Sequence, residues 1–168
     1  MRATVGLEPE INIRPANPAD VETIAELIKD LAVYEEMQDV CVSSPDAIHQ
    51  ALFSPAPCAE VLIAELEDTT VGFALFFHNF STFLGKRGLY VEDVFVRQNA
   101  RGKGAGKLLL KSLARIAVER DCARMEWSVL DWNEPSIAFY KSLGAKPMDE
   151  WTGFRLQQQD IHELAGRR

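Results

Sequence analysis

Apolar residues in this chain recur at two periods, and the switches between them lay out its elements. Residues 11–14 alternate and read as a short first strand. Asn17-Pro18 then opens a helix, with asparagine as the cap and proline in the first helical position. Val21, Ile24, Leu27, Ile28 and Leu31 follow at helical spacing, so the helix runs to about Glu36 with that stripe inward. Ser44-Pro45-Asp46 starts a second helix by the same chemistry, carrying Ile48, Leu52 and Phe53. Two runs rich in β-branched and aromatic residues, 61–66 and 71–77, flank the polar Glu67-Asp68-Thr69-Thr70 and predict a hairpin. A strand over 89–96 then leads through a glycine-rich turn into an amphipathic helix ending near Arg120. Residues 125–130 set Glu126 and Ser128 against Trp127 and Val129, which predicts a fifth strand. Asn133-Glu134-Pro135 caps a short helix through Leu143, closed by Gly144. A last strand is expected over 153–157, followed by an amphipathic turn or helix around Ile161 and Leu164.

Helices interspersed with a sheet that begins as antiparallel hairpins predict an α/β sandwich, and the strand–turn–helix–strand unit around the glycines predicts a parallel, right-handed crossover. The 168 residues suit one domain over 11–168, with residues 1–10 as a disordered tail that lacks the apolar core of a signal peptide. No run reaches the length of a membrane span. A net charge of −7 argues against general nucleic-acid binding and would attract a cationic ligand. Cys41, Cys58 and Cys122 lack metal-ligand spacing and read as reduced thiols of a cytoplasmic protein, Cys122 as packing. His49, His78 and His162 are scattered and match no ligand pattern, so no metal is expected.

The chemistry begins at Arg101-Gly102-Lys103-Gly104-Ala105-Gly106-Lys107, directly after the strand. Glycine at every second position lets successive N–H groups converge on an anion, and the helix behind adds a partial positive charge. The spacing is not that of a P-loop, because Lys107 is followed by Leu108 and the first glycine position is held by Arg101. Nor is it the dinucleotide fingerprint, since neither Gly-x-Gly pair has its third glycine three residues on.

Arg-Gly-x-Gly-x-Gly after a Val-Phe-Val strand resembles the acetyl-CoA loop of the GCN5-related N-acetyltransferase (GNAT) superfamily. Residues 132–141 (Trp-Asn-Glu-Pro-Ser-Ile-Ala-Phe-Tyr-Lys) resemble its second motif. Ile13-Arg14-Pro15-Ala16, Leu31-Ala32-x-Tyr34-Glu35 and Tyr90-x-Glu92-Asp93 are similar, in order, to the branch of spermidine/spermine and thialysine N-ε-acetyltransferases. The resemblance covers nearly the full chain. It implies a mixed, mostly antiparallel central sheet with helices on both faces, and a homodimer. It implies acetyl-CoA as cosubstrate, with Val94, Phe95 and Val96 presenting backbone groups to the pantetheine arm. Arg101, Gly102, Lys103, Gly104, Ala105, Gly106 and Lys107 would hold the pyrophosphate, and Asn133, Ser136 and Tyr140 would lie further along the cofactor.

The reaction implied is acetyl transfer to a primary amine in a ternary complex. An ammonium near pKa 10.4 must lose a proton before it attacks, so a carboxylate is needed. The resemblance puts Glu92 in the base position and Tyr140 in the acid position, with Tyr34 and Glu35 touching the amine. Strict alternation would place Glu92 on one strand face with Val94 and Val96, leaving Asp93 and Phe95 on the other, unless a bulge intervenes. Asp93 is then a supporting or partner-contact carboxylate of the substrate-binding set, and Glu126 on the fifth strand is a further candidate for the amine. Asn133 has the alternative role of helix cap, and Tyr140 that of a packing residue. Thr152 stands where the spermidine/spermine enzymes carry glutamate, which disfavours a long polyamine and leaves a thialysine- or lysine-like amine equally open as the acceptor. A protein lysine or N-terminus as acceptor, or a non-catalytic CoA-binding module, are the alternative readings.

Overall fold

The computed structural model describes residues 10–167, so the tail expected over 1–10 lies, apart from Glu10, outside the described residues. The chain divides into two compact units, one reaching to Ser128 and one beginning at Val129.

The first unit is built on a five-stranded sheet. Strands β1 (Ile11–Pro15), β2 (Glu60–Leu66), β3 (Thr69–Ser81) and β4 (Lys86–Val96) lie in chain order and pair antiparallel. Strand β5 (Met125–Trp127) joins parallel to β4. Helices α1 (Val21–Tyr34) and α2 (Pro45–Phe53) connect β1 to β2, and α3 (Ala105–Glu119) makes the expected crossover from β4 to β5. The sheet is mixed and mostly antiparallel, as the sequence pattern implied.

Alternation along the strands gives the sheet two cores. Val61, Ile63, Phe73 and Phe95 pack with Val21, Ile24, Leu27 and Leu31 of α1 and with Ile48 and Leu52 of α2. Leu62, Ala64, Ala74 and Phe76 are buried on the opposite face, where Leu109 and Leu113 of α3 are fully covered. At roughly 1.5–3 kcal/mol for each large apolar side chain removed from water, these faces outweigh any single cap or surface pair.

Local chemistry sets the ends of the elements. Asn17 caps a 3-10 turn, Pro18–Asp20, which precedes α1, rather than α1 itself. Its side-chain oxygen accepts from the Ala19 N–H at 2.9 Å, and the Asp20 carboxylate accepts from the Asn17 N–H at 2.7 Å. Arg14 donates two bonds of 2.8 Å to Asp20 and one of 2.8 Å to Glu65, tying β1, β2 and the entry of α1 together. That guanidinium holds the Asp20 carboxyl below the ordinary carboxylate range. Helix α1 stops at Tyr34, two residues short of the expectation. Glu36 takes a left-handed φ of 57°, and the Met37 N–H turns back to the Ala32 carbonyl at 2.8 Å. The β2–β3 turn is tighter than the expected four residues. Glu67 (φ 49°) and Asp68 (φ 61°) make it alone, and Thr69 and Thr70 join β3.

Two expected strands are corrected. Strand β5 has three residues instead of six, because its ladder with β4 ends at the pair Val91–Trp127. Residues 153–157 form no strand. They belong to the second unit, which holds α4 (Glu134–Ser142), α5 (Gln158–Leu164) and no strand among the described residues. An alternating pattern without a neighbouring ladder cannot pair its N–H and C=O groups, so this stretch stays irregular and exposed.

Candidate active site

The site grows from one irregularity in β4. Leu75 of β3 lies opposite Asp93, and the next residue, Phe76, lies opposite Val91. Glu92 is therefore the extra residue of a β-bulge and has no partner on β3. The bulge interrupts the alternation between Val91 and Asp93, while Asp93 and Phe95 share one face as expected. Val91 faces the side of α3, whereas Asp93 and Phe95, two and four residues on, face α1. Glu92 is exposed and Asp93 is half-buried.

Burial, with the charges of Glu92 and Glu35 beside it, pushes the Asp93 carboxyl up to about 6. Glu35, in the turn that ends α1, is also raised, by burial. Three carboxyl groups from two separate segments thus share one region. Sequence reasoning gave Asp93 only a supporting part. The signal available was the pair Glu92-Asp93 inside an otherwise apolar strand, because strict alternation must turn one of two adjacent carboxylates inward.

The same end of β4 exposes its backbone. The Arg97 N–H donates to the Val71 carbonyl at 2.8 Å, and antiparallel pairing alternates from there. Phe95 and Asp93 turn their backbone groups to β3, while Val94 and Val96 turn theirs to the outer edge, beyond the last pair with β5. The Phe95 side chain is buried in the α1–α2 core.

After β4, a 3-10 turn (Gln98–Ala100) leads into the glycine loop. Gly102 (φ 79°) and Gly104 (φ 95°) are left-handed, and a Cβ on either would meet nothing within 4 Å. Glycine is required there by conformation and not by space. Gly104 is the N-cap of α3, where no side chain caps the helix and no acidic residue lies in the first turn. The first helical bond runs from the Leu108 N–H to the Gly104 carbonyl at 3.0 Å, so the amides of Ala105, Gly106 and Lys107 point out of the helix end. Lys103 and Lys107 are exposed beside them. This donor set fits a pyrophosphate.

The Arg101 side chain reaches back to β4 and α1. Its Nε donates to the Val96 carbonyl at 2.9 Å. Its guanidinium carbon lies 4.2 Å from the centre of the Tyr34 ring and 5.7 Å from that of Phe95. Tyr34 and Phe95 are themselves 6.5 Å apart. The first unit therefore brings Tyr34, Glu35, Glu92, Asp93, Phe95 and Arg101 together. Glu126 is engaged elsewhere: Arg124 lies 2.8 Å from its carboxylate, and Asn79 donates to it at 3.0 Å.

In the second unit Asn133 is the N-cap of α4, its side-chain oxygen accepting from the Ser136 N–H at 3.3 Å. Ser136 and Tyr140 are half-buried on the same helix, and the Tyr140 ring sits 5.5 Å from Phe139. Gly144, at φ 91°, ends the following turn.

The sequence profile of the Acetyltransferase (GNAT) family matches residues 25–145. The chain belongs to the GNAT acetyltransferase family. It is 33% identical to a thialysine N-epsilon-acetyltransferase of Bos taurus, over 94% of this chain and 98% of that protein. It is 33% identical to an L-ornithine N5-acetyltransferase of Arabidopsis thaliana, over 86% and 83%. Among solved structures, an integron cassette protein of V. cholerae superposes with a TM-score of 0.79 at 28% identity, covering 95% of this chain and 99% of that one. Both the profile and these relatives make the protein an acyltransferase enzyme of the GNAT kind, and its sheet is the GNAT sheet. No helix among the described residues is long and apolar enough to cross a membrane.

Proposed function

We propose that this GNAT enzyme moves an acetyl group from acetyl-CoA to the primary amine of a small cationic amino acid, directly and within a ternary complex. The observation that carries this reading is the meeting of two chemistries at one end of β4. Open backbone amides and an uncapped helix end suit the donor, and the Glu35–Glu92–Asp93 cluster suits a cationic acceptor.

Acetyl-CoA supplies the thioester whose carbonyl carbon the amine attacks. The amides of 104–107 hold the pyrophosphate, and the edge groups of Val94 and Val96 bind the pantetheine arm as an added strand would. Glu92, exposed on its bulge, takes the ammonium proton directly or through water. The Val94 N–H is the nearby edge donor for the acyl oxygen. Asp93 and Glu35 attract the cation, while Tyr34 lines the approach. Tyr140 gives the departing sulfur its proton, a role assigned on the family motif, as are the cofactor contacts of Asn133 and Ser136. A homodimer in the cytoplasm is proposed on the same family pattern, and sedimentation tests the dimer.

The relatives named for thialysine and ornithine favour an amino-acid side-chain amine, and Thr152 disfavours a polyamine. Thialysine, ornithine, lysine and spermidine, each mixed with acetyl-CoA, are to be compared by release of free thiol. Turnover of one of the first three supports the proposal. Silence with all four, while acetyl-CoA still raises Tm, moves the acceptor to a protein amine or the chain to a binding module. No rise in Tm removes the donor.

A further inference from the structure

Arg101 opens the glycine loop, yet its side chain turns toward the end of α1. The guanidinium carbon lies over the ring of Tyr34, the last residue of α1, at 4.2 Å, and Nε donates to the Val96 carbonyl at 2.9 Å. A planar cation held over a ring face at this distance is an attractive contact, and the bond to β4 fixes where that cation sits. The ring it covers belongs to the residue before Glu35. That residue is held by a bond of 2.9 Å from its N–H to the Leu31 carbonyl, and its carboxyl is close enough to raise that of Asp93. The turn beyond is strained by the left-handed Glu36, so α1 ends in a backbone that needs outside support.

We propose that Arg101 is a positioning residue for the acceptor: it clamps the end of α1 to the edge of β4 and so sets the Tyr34–Glu35 side of the amine site, rather than binding donor phosphate. The inference rests on the acetyl-transfer reading for its kinetic consequence, but not for its structural one. Donor and acceptor sites are joined through this one side chain. The loop that receives the pyrophosphate carries the strut of the amine site, so movement of the loop is felt at Glu35.

Two measurements test it. In Arg101→Gln, amide hydrogen exchange at Glu35, Glu36 and Met37 is expected to quicken by roughly 2- to 30-fold, the range of one such cation–ring contact, with α3 unchanged. This readout needs no turnover, so it stands even if none of the amines is a substrate. In steady state, with acetyl-CoA and thialysine or ornithine as probes, Arg101→Gln is expected to raise the amine KM by a similar factor. Its Kd for acetyl-CoA, read by calorimetry, should stay within about twofold of the wild type. Tyr34→Leu should reproduce the amine effect, and the double variant should be no worse than the worse single. A Kd for acetyl-CoA weakened tenfold or more with an unchanged amine KM overturns the proposal. So do unaltered exchange at the end of α1 and additive effects in the double variant.

Discussion

The glycine loop and the carboxyl cluster flank the same end of β4 and work by different physics. The loop uses backbone: two left-handed glycines, an uncapped helix end and the edge amides of Val94 and Val96. Its chemistry is indifferent to burial, and it comes from one continuous stretch of chain. The cluster uses side chains whose properties come from their surroundings. Asp93 titrates near 6 only because the fold buries it next to Glu92 and Glu35, which lie on different segments. A site made from backbone is carried by local sequence, whereas a site made from tuned side chains exists only after folding.

The largest test of that contrast is Glu92→Gln. Loss of a positioned base should lower turnover by roughly 10²–10⁴-fold. The loss should be greatest at low pH and should shrink as pH approaches the pKa of the free amine, which a pH–rate profile reads. An equal loss at every pH would move the base elsewhere.

Asp93→Asn probes the tuning itself. The folded protein holds this proton more tightly than the unfolded chain, whose ordinary value is 3.8. Its contribution to stability is therefore complete below about pH 4 and is lost as pH rises through about 6. Asparagine has no proton to lose. The variant should gain on the wild type across that window, by up to roughly 3 kcal/mol at pH 8. Thermal unfolding at pH 4 and pH 8 checks it, and a difference that ignores pH would show that burial is not the cause.

Gly104→Ala addresses the donor side first. The added methyl has room, so the cost is that of a left-handed alanine, about 1 kcal/mol. Acetyl-CoA affinity should fall about fivefold in calorimetry, with a smaller change in the amine KM than Arg101→Gln produces. Smallest of all, Lys86→Ala breaks an exposed pair with Asp121 (2.7 Å) and should change stability by no more than about 0.5 kcal/mol. Any effect of that variant on either KM would blur the boundary between the two regions.

The same contrast explains what the residues disclosed before folding. The cap at Asn17, the β2–β3 hairpin, the cap at Asn133 and the parallel crossover follow from local spacing and turn chemistry, and each is present, although Asn17 caps a 3-10 turn ahead of α1. The strand over 153–157 is not, because a strand depends on a neighbour that no pattern of its own can supply. Asp93 does share a face with Phe95, as alternation expects, but the bulge that sets Glu92 apart was illegible for a related reason. A bulge is decided by the partner strand, here by Leu75 and Phe76 taking Asp93 and Val91. The family resemblance put Arg101 with the pyrophosphate residues, and its contact with Tyr34, far away in sequence, could not be read from the loop.

The bulge at Glu92 also makes the length of β4 a constraint, separate from which residues it carries. Val91 must sit opposite Phe76 while Phe95 sits opposite Phe73, and those two pairings leave room for one supernumerary residue. Deleting Glu92 would keep every core side chain and one acid of the pair, yet the two halves of the strand could no longer both be in register. Either the α3 side or the α1 side would lose its apolar contacts. Natural variation in this strand should therefore replace residues freely at some positions but resist insertion and deletion throughout.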